Sequence, residues 1–200
     1  RKYALKVMAD ILGGGMSSRL FQKVREELGA AYYVNASDDL YSDHGIFLMS
    51  AGVHHEKLEE VIKVSLEEFS RLKEDRVSDE ELKRVKDHLI GGLSLSLETS
   101  DAIGSFYGGQ EILRPPLSSP EEVAEKILNV SAEDVQNVAK DLIKEEGLNM
   151  SLIGPFKEKS FISGVAVCCC ETIKCLSSTV ATIPFWSCAS NAKNSCSRFG

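Results

Sequence analysis

LGGGMSSRLFQKVREELGAAY, residues Leu12 to Tyr32, is the stretch from which the rest of the chain can be ordered. Gly13, Gly14 and Gly15 interrupt one helical pattern, and a second begins almost at once. Upstream, Tyr3–Leu12 places Leu5, Met8, Ala9 and Leu12 at helical spacing. Downstream, Ser17 or Ser18 can cap a helix running to about Leu28, with Leu20, Phe21, Val24 and Leu28 on one face. Gly29 then offers the left-handed residue that ends helices. Beyond it, Ala31–Leu40 and Gly45–Val53 read as two strands joined near Ser42-Asp43-His44-Gly45. Strands that close in sequence form a hairpin, so the sheet is at least partly antiparallel.

Working outward, Glu56–Lys73 carries Leu58, Val61, Ile62, Leu66 and Phe69 at intervals of three and four, an amphipathic helix. Ser78-Asp79-Glu80-Glu81 reads as a capping box opening a helix that buries Leu82, Val85, Leu89 and Ile90. That helix runs on through Gly91-Gly92, which predicts close packing there. Ser119-Pro120-Glu121-Glu122 and Ser131-Ala132-Glu133-Asp134 start two more helices. Leu148–Ile153 is a last strand closed by Gly154-Pro155. A hairpin plus grouped helices predicts an α+β fold, a mainly antiparallel sheet against a layer of helices.

The composition changes near Ser160. Of 30 acidic residues, 29 precede residue 161, and all six cysteines follow it. Cys168, Cys169, Cys170, Cys175, Cys188 and Cys196 allow disulfides or a metal, but no CxxC pair and no histidine accompanies them. Strand alternation survives only in short pieces such as Thr179–Phe185. Residues 158–200 are therefore expected to be a disordered tail outside the fold, with the composition of an out-of-frame or aberrantly spliced end, and their removal is expected to leave the fold intact.

The net charge of −7 argues against nucleic acid, which needs a basic stripe. No run of about 18 apolar residues is present, so no helix is expected to span a membrane. No leader pattern is visible before the first helix, and the start reads as internal to a longer protein, so it does not give the compartment; a soluble, cytoplasmic protein is the general expectation. Gly13–Gly15 could offer amide N–H groups to an anion, yet no strand precedes them and no P-loop lysine follows, so a tight helix–helix turn competes with that reading. The histidines, His44, His54, His55 and His88, form neither HExxH nor HxxEH; His55 and His88 read as surface residues. No metal ligands are assigned. From the residues alone, the chain is an acidic α+β domain.

The Leu12–Tyr32 stretch, however, resembles the signature of the C-terminal domain of insulinase/pitrilysin-type zinc peptidases, which include bacterial processing peptidases and the mitochondrial processing peptidase. Gly45-Ile46-Phe47, the Val77–Leu82 helix start, Leu93–Glu98 and Val130–Val135 with Ile153-Gly154-Pro155 match in order. The resemblance covers residues 1–157 and begins one helix into the family domain, leaving out its first strand.

It implies a substrate-binding domain of a zinc metalloendopeptidase that cleaves peptides or presequences. Zinc would sit on an HxxEH-bearing domain of the same or another polypeptide, and this chain alone would be inactive. Arg25 and Tyr32 match an arginine and a tyrosine that reach an extended peptide substrate near that zinc, and are the expected catalytic residues. Gly13, Gly14 and Gly15 are the expected substrate-binding residues. An arginine fork suits backbone carbonyls, and a tyrosine hydroxyl suits a developing oxyanion. Without the resemblance, Arg25 pairing with a neighbouring glutamate and a core Tyr32 would be the plainer assignments. The alternative function is a non-catalytic partner subunit or a structural core protein of the same family.

Overall fold

A computed structural model of the chain describes residues 1–41, 45–113, 116–144, 148–154, 166–169 and 179–187. The elements are α1 (Lys2–Gly13), a π-helix (Phe21–Glu27), β1 (Ala31–Leu40), β2 (Gly45–Val53), α2 (Leu58–Glu74), α3 (Asp79–Ser96), α4 (Ser100–Leu113), α5 (Pro120–Leu128), α6 (Ala132–Leu142), β3 (Asn149–Ile153), β4 (Ala166–Cys169) and β5 (Thr179–Ser187). The fold is α+β, as the hairpin and grouped helices predict. The strand order is β1-β2-β5-β3-β4, with every pairing antiparallel except that of β3 with β4.

Strand periodicity decides which face is covered. Val34 and Ala36 of β1, Phe47, Met49 and Ala51 of β2, and Met150 and Leu152 of β3 are buried, each separated by a more exposed neighbour. Against that face lies α1, whose Val7, Met8, Ile11 and Leu12 are fully buried. Phe69 of α2 meets Phe47 edge-to-face with centroids 6.0 Å apart, which joins the helical layer to the sheet. Gly13 marks the closest approach of α1 to β1. A Cβ there would stand 2.1 Å from the backbone nitrogen of Ala36, so only glycine lets the two backbones come this near.

Several expectations are revised. Ser78 does cap α3, accepting from the Glu81 N–H, but the Glu81 carboxylate is engaged elsewhere, so the box is half formed. The reciprocal boxes are those of Ser119 with Glu122 and Ser131 with Asp134. The predicted close packing at Gly91-Gly92 is absent: both are exposed, and a Cβ on either would meet nothing within 4 Å. Within residues 158–200 lie β4 and β5, and β5 sits between β2 and β3. Pro184 of β5 pairs with Leu48 beyond the three residues that face β3, where a missing N–H is tolerated as on an edge. The joint at Ser42-Asp43-His44, Pro155 and four of the six cysteines lie outside the described residues.

Candidate functional site

The segment from Met16 to Tyr33 is tied down at both ends before it presents any side chain. At its start, the Ser18 hydroxyl donates to the Gly15 carbonyl at 2.6 Å, and the Gln22 amide to the Met16 carbonyl at 2.6 Å. In the middle, Arg19 donates from Nε and Nη2 to the two oxygens of Glu81 at 2.9 and 2.7 Å. This fork is largely shielded, with side-chain exposures of 18% and 16%, and it clamps the segment onto α3. The hydrogen bond to Glu81 holds the Arg19 guanidinium above its ordinary range, against the opposing effect of burial.

The helix that follows is a π-helix rather than an α-helix, closing with the Leu28 N–H on the Lys23 carbonyl at 3.1 Å. Such wide turns are rare, and they gather at functional sites. Gly29, at φ 54°, then turns the chain. The Ala30 N–H reaches back to the Val24 carbonyl at 3.1 Å, while the Lys57 ammonium donates to the Leu28 carbonyl at 2.6 Å. The junction between helix and strand is therefore tied by hydrogen bonds on both sides of Gly29.

On this frame Arg25 is exposed, and its guanidinium carbon sits 4.9 Å from the centroid of the Phe21 ring. The adjacent carboxylates are not its partners: Glu27 is held by Lys23 at 2.8 and 2.9 Å. Among the described residues Arg25 makes no ion pair, which removes the plainer assignment of a surface salt bridge. From the sequence, Phe21 reads as a packing residue only. The aromatic–cation pair at i and i+4 was the signal that could have found its second contact.

Tyr32 lies at a β-bulge. Ala31 pairs with Val53 and Tyr33 with the adjacent Gly52, so Tyr32 is the extra residue. By regular alternation Tyr32 would share the buried side of Val34 and Ala36; the bulge turns it out instead, to 85% exposure. It is not a core tyrosine. Tyr33 differs: its ring lies across Gly52, where a Cβ would come within 2.5 Å of it. Arg25 and Tyr32 are thus held by one junction but make no hydrogen bond to each other among the described residues.

The glycine run serves packing first. Gly13 meets β1, a Cβ on Gly14 would strike the Asp10 carboxylate, and the Gly14 N–H donates to the Asp10 carbonyl at 3.0 Å, so that amide is spent within α1. A Cβ on Gly15 would meet the His88 ring at ordinary van der Waals distance, 3.7 Å. His88, read as solvated, is exposed yet contacts Asp10 through Nδ1 at 2.9 and 3.2 Å. Burial pushes the Asp10 carboxyl above its ordinary value, with His88 opposing the shift.

A cavity of about 830 Å³ lies away from Arg25 and Tyr32, bounded by Lys2, Leu40, His88, Leu93, Phe106 and Ile127. Arg25 and Tyr32 instead stand on open surface. Among the described residues no group of three or more His, Cys, Asp or Glu is placed to hold a metal ion. No described helix is long and apolar enough to cross a membrane.

Residues 1–89, which hold this whole site, match the family model of the peptidase M16 inactive domain. The chain belongs to the peptidase M16 family. An uncharacterised zinc protease of Streptomyces coelicolor is 35% identical over 159 residues, 80% of this chain and 34% of that protein. The chain thus spans about a third of the curated relatives it matches. The crystal structure of a peptidase M16 inactive domain from Pseudomonas fluorescens superposes with a TM-score of 0.61 at 25% identity, covering 68% of this chain and 33% of that one. A chain of complex III2 from Candida albicans gives a TM-score of 0.62 at 26% identity, covering 69% and 35%. This agrees with the insulinase/pitrilysin resemblance read from Leu12–Tyr32.

Proposed function

We propose that this M16 domain is the substrate-binding half of a zinc metalloendopeptidase, paired with an HxxEH-bearing domain of the same or another polypeptide and inactive without it. The observation that carries the proposal is the presentation of two side chains. Tyr32 is thrown into solvent by a bulge, and Arg25 is held without a carboxylate partner, both on a junction rigid enough to aim them. The zinc and the base that activates water would be supplied by the paired domain. Arg25 would donate from its fork to backbone carbonyls of an extended peptide. The Tyr32 hydroxyl would donate to the oxygen on which negative charge develops. Of the glycine run, we place Gly15 beside the substrate, while Gly13 and Gly14 hold α1 in register. The surroundings proposed are soluble and cytoplasmic.

The test uses the assembled peptidase. Tyr32→Phe should lower kcat by roughly 10²–10³, the usual loss for one oxyanion donor. Arg25→Ala should also raise KM, because a backbone clamp holds the ground state too. Tyr33→Phe, whose ring is committed to Gly52, should be nearly silent. A non-catalytic partner or structural core role is the second reading, favoured by the likeness to the complex III2 chain. It would prevail if Arg25 and Tyr32 could both be replaced without kinetic effect.

A further inference from the structure

Two arginines six positions apart on one segment are held in opposite ways. Arg19 spends its fork on Glu81, with Nε and Nη2 both engaged. Arg25 is held by Phe21, its guanidinium carbon 4.9 Å from the ring centroid. The difference matters because a carboxylate occupies the in-plane N–H donors, whereas a π face attracts the cation without supplying an in-plane acceptor. An arginine docked on a ring keeps its donors for something else, and loses less rotamer freedom when that something arrives.

The surroundings enforce this choice. Glu27, two positions on, is paired with Lys23, and Glu81 with Arg19, and neither forms an ion pair with Arg25. Phe21 is itself half-buried, packed against the core as the first residue of the π-helix. The ring is thus a core-packed platform under a cation that makes no ion pair among the described residues.

We infer that Phe21 is a positioning residue for Arg25, holding the guanidinium over its ring so that the fork stays open to backbone carbonyls of a bound peptide. This rests on the substrate role proposed for Arg25. Phe21 does not touch substrate; it acts through Arg25.

Two measurements test it. In the chain itself, NMR should show the Arg25 side-chain protons shifted upfield by the ring current. The shift should vanish in Phe21→Leu, which keeps apolar bulk, and return in Phe21→Trp, the strongest cation–π partner. Thermal unfolding of each variant checks that packing survives. In the assembled peptidase, Phe21→Leu should raise KM roughly 2–5-fold, the range of an exposed cation–π contact, with kcat changed less than about twofold. Phe21→Trp should restore it, and adding Phe21→Leu to Arg25→Ala should change nothing more. The inference is overturned if the wild-type protons are unshifted. It is also overturned if Arg25→Ala raises KM while Phe21→Leu does not, or if Phe21→Leu adds its full effect on top of Arg25→Ala. A silent Arg25→Ala would instead remove the parent reading, and the positioning role with it.

Discussion

The body of the domain and the arm formed by the end of α3 with α4 are both helical and both rich in small and apolar residues, yet only the body is packed. In α1, eight of twelve residues are buried. In α4, no residue whose burial is described reaches that state, and Leu95, Ile103 and Ile112 stand exposed around it. Glycines separate the regions in the same way. Gly13 sits against the backbone of Ala36, while Gly91, Gly92, Gly104, Gly108 and Gly109 have open space where a Cβ would be. Apolar content and a helix-forming pattern specify the element; burial requires a second surface of matching shape, and the arm has none among the described residues.

The largest break in this contrast should come from the sheet. Removing residues 161–200 takes away β5, the strand that bridges β2 and β3. The expected result is loss of a single cooperative transition, with the thermal midpoint lowered by more than about 8 °C. An unchanged midpoint would mean that β2 and β3 close on each other without it. Next in size, Phe69→Ala should cost about 3–5 kcal/mol in urea unfolding, because the ring is fully buried against Phe47. Ile112→Ala in the arm, at 85% exposure, should stay within about 0.5 kcal/mol. Comparable losses at both sites would show that the arm is packed after all.

The glycines sharpen the contrast through its sign. Gly13→Ala should destabilise by about 1–3 kcal/mol, since a methyl group would press on backbone that cannot move aside. Gly104→Ala, in a helix with open space around it, should stabilise by about 0.5–1 kcal/mol. Two changes of the same sign would refute the difference in packing. The smallest effect is in pH dependence. Burial raises the Asp10 carboxyl above its ordinary 3.8, so the folded state binds the proton more tightly than the unfolded chain. The stability this adds is present below that ordinary value and is lost as pH rises through the raised one. Asp10→Asn should flatten that part of the midpoint-against-pH curve; an unaltered slope would show that the carboxyl is not the group responsible.

Much of the body was legible residue by residue. The bounds of β1 and β2 follow from alternation, Gly29 from its place after Leu28, and the starts of α5 and α6 from their serine caps, because each signal acts within four residues. What failed was non-local. Glu81 completes a capping box by sequence, yet a guanidinium 62 positions away takes its carboxylate. Gly91-Gly92 reads as a close approach, but nothing approaches. No pattern announced α4. Short uncharged alternation marked Thr179–Phe185 as strand-like, but no local rule could give it a central place in the sheet.

At the site, the sequence by itself determined which side chains are available: Arg25, Tyr32 and the glycine run, with the insulinase-type order that carries their expected roles. Only the tertiary structure decided what each is free to do. Alternation alone would bury Tyr32 beside Val34, and charge alone would pair Arg25 with a glutamate. The bulge opposite Gly52 and Val53 exposes the tyrosine, and the Phe21 ring lies under the arginine while Lys23 occupies the Glu27 carboxylate. Hydrogen-bond register across strands and competition among charges are settled between elements, so they become visible only once those elements are packed.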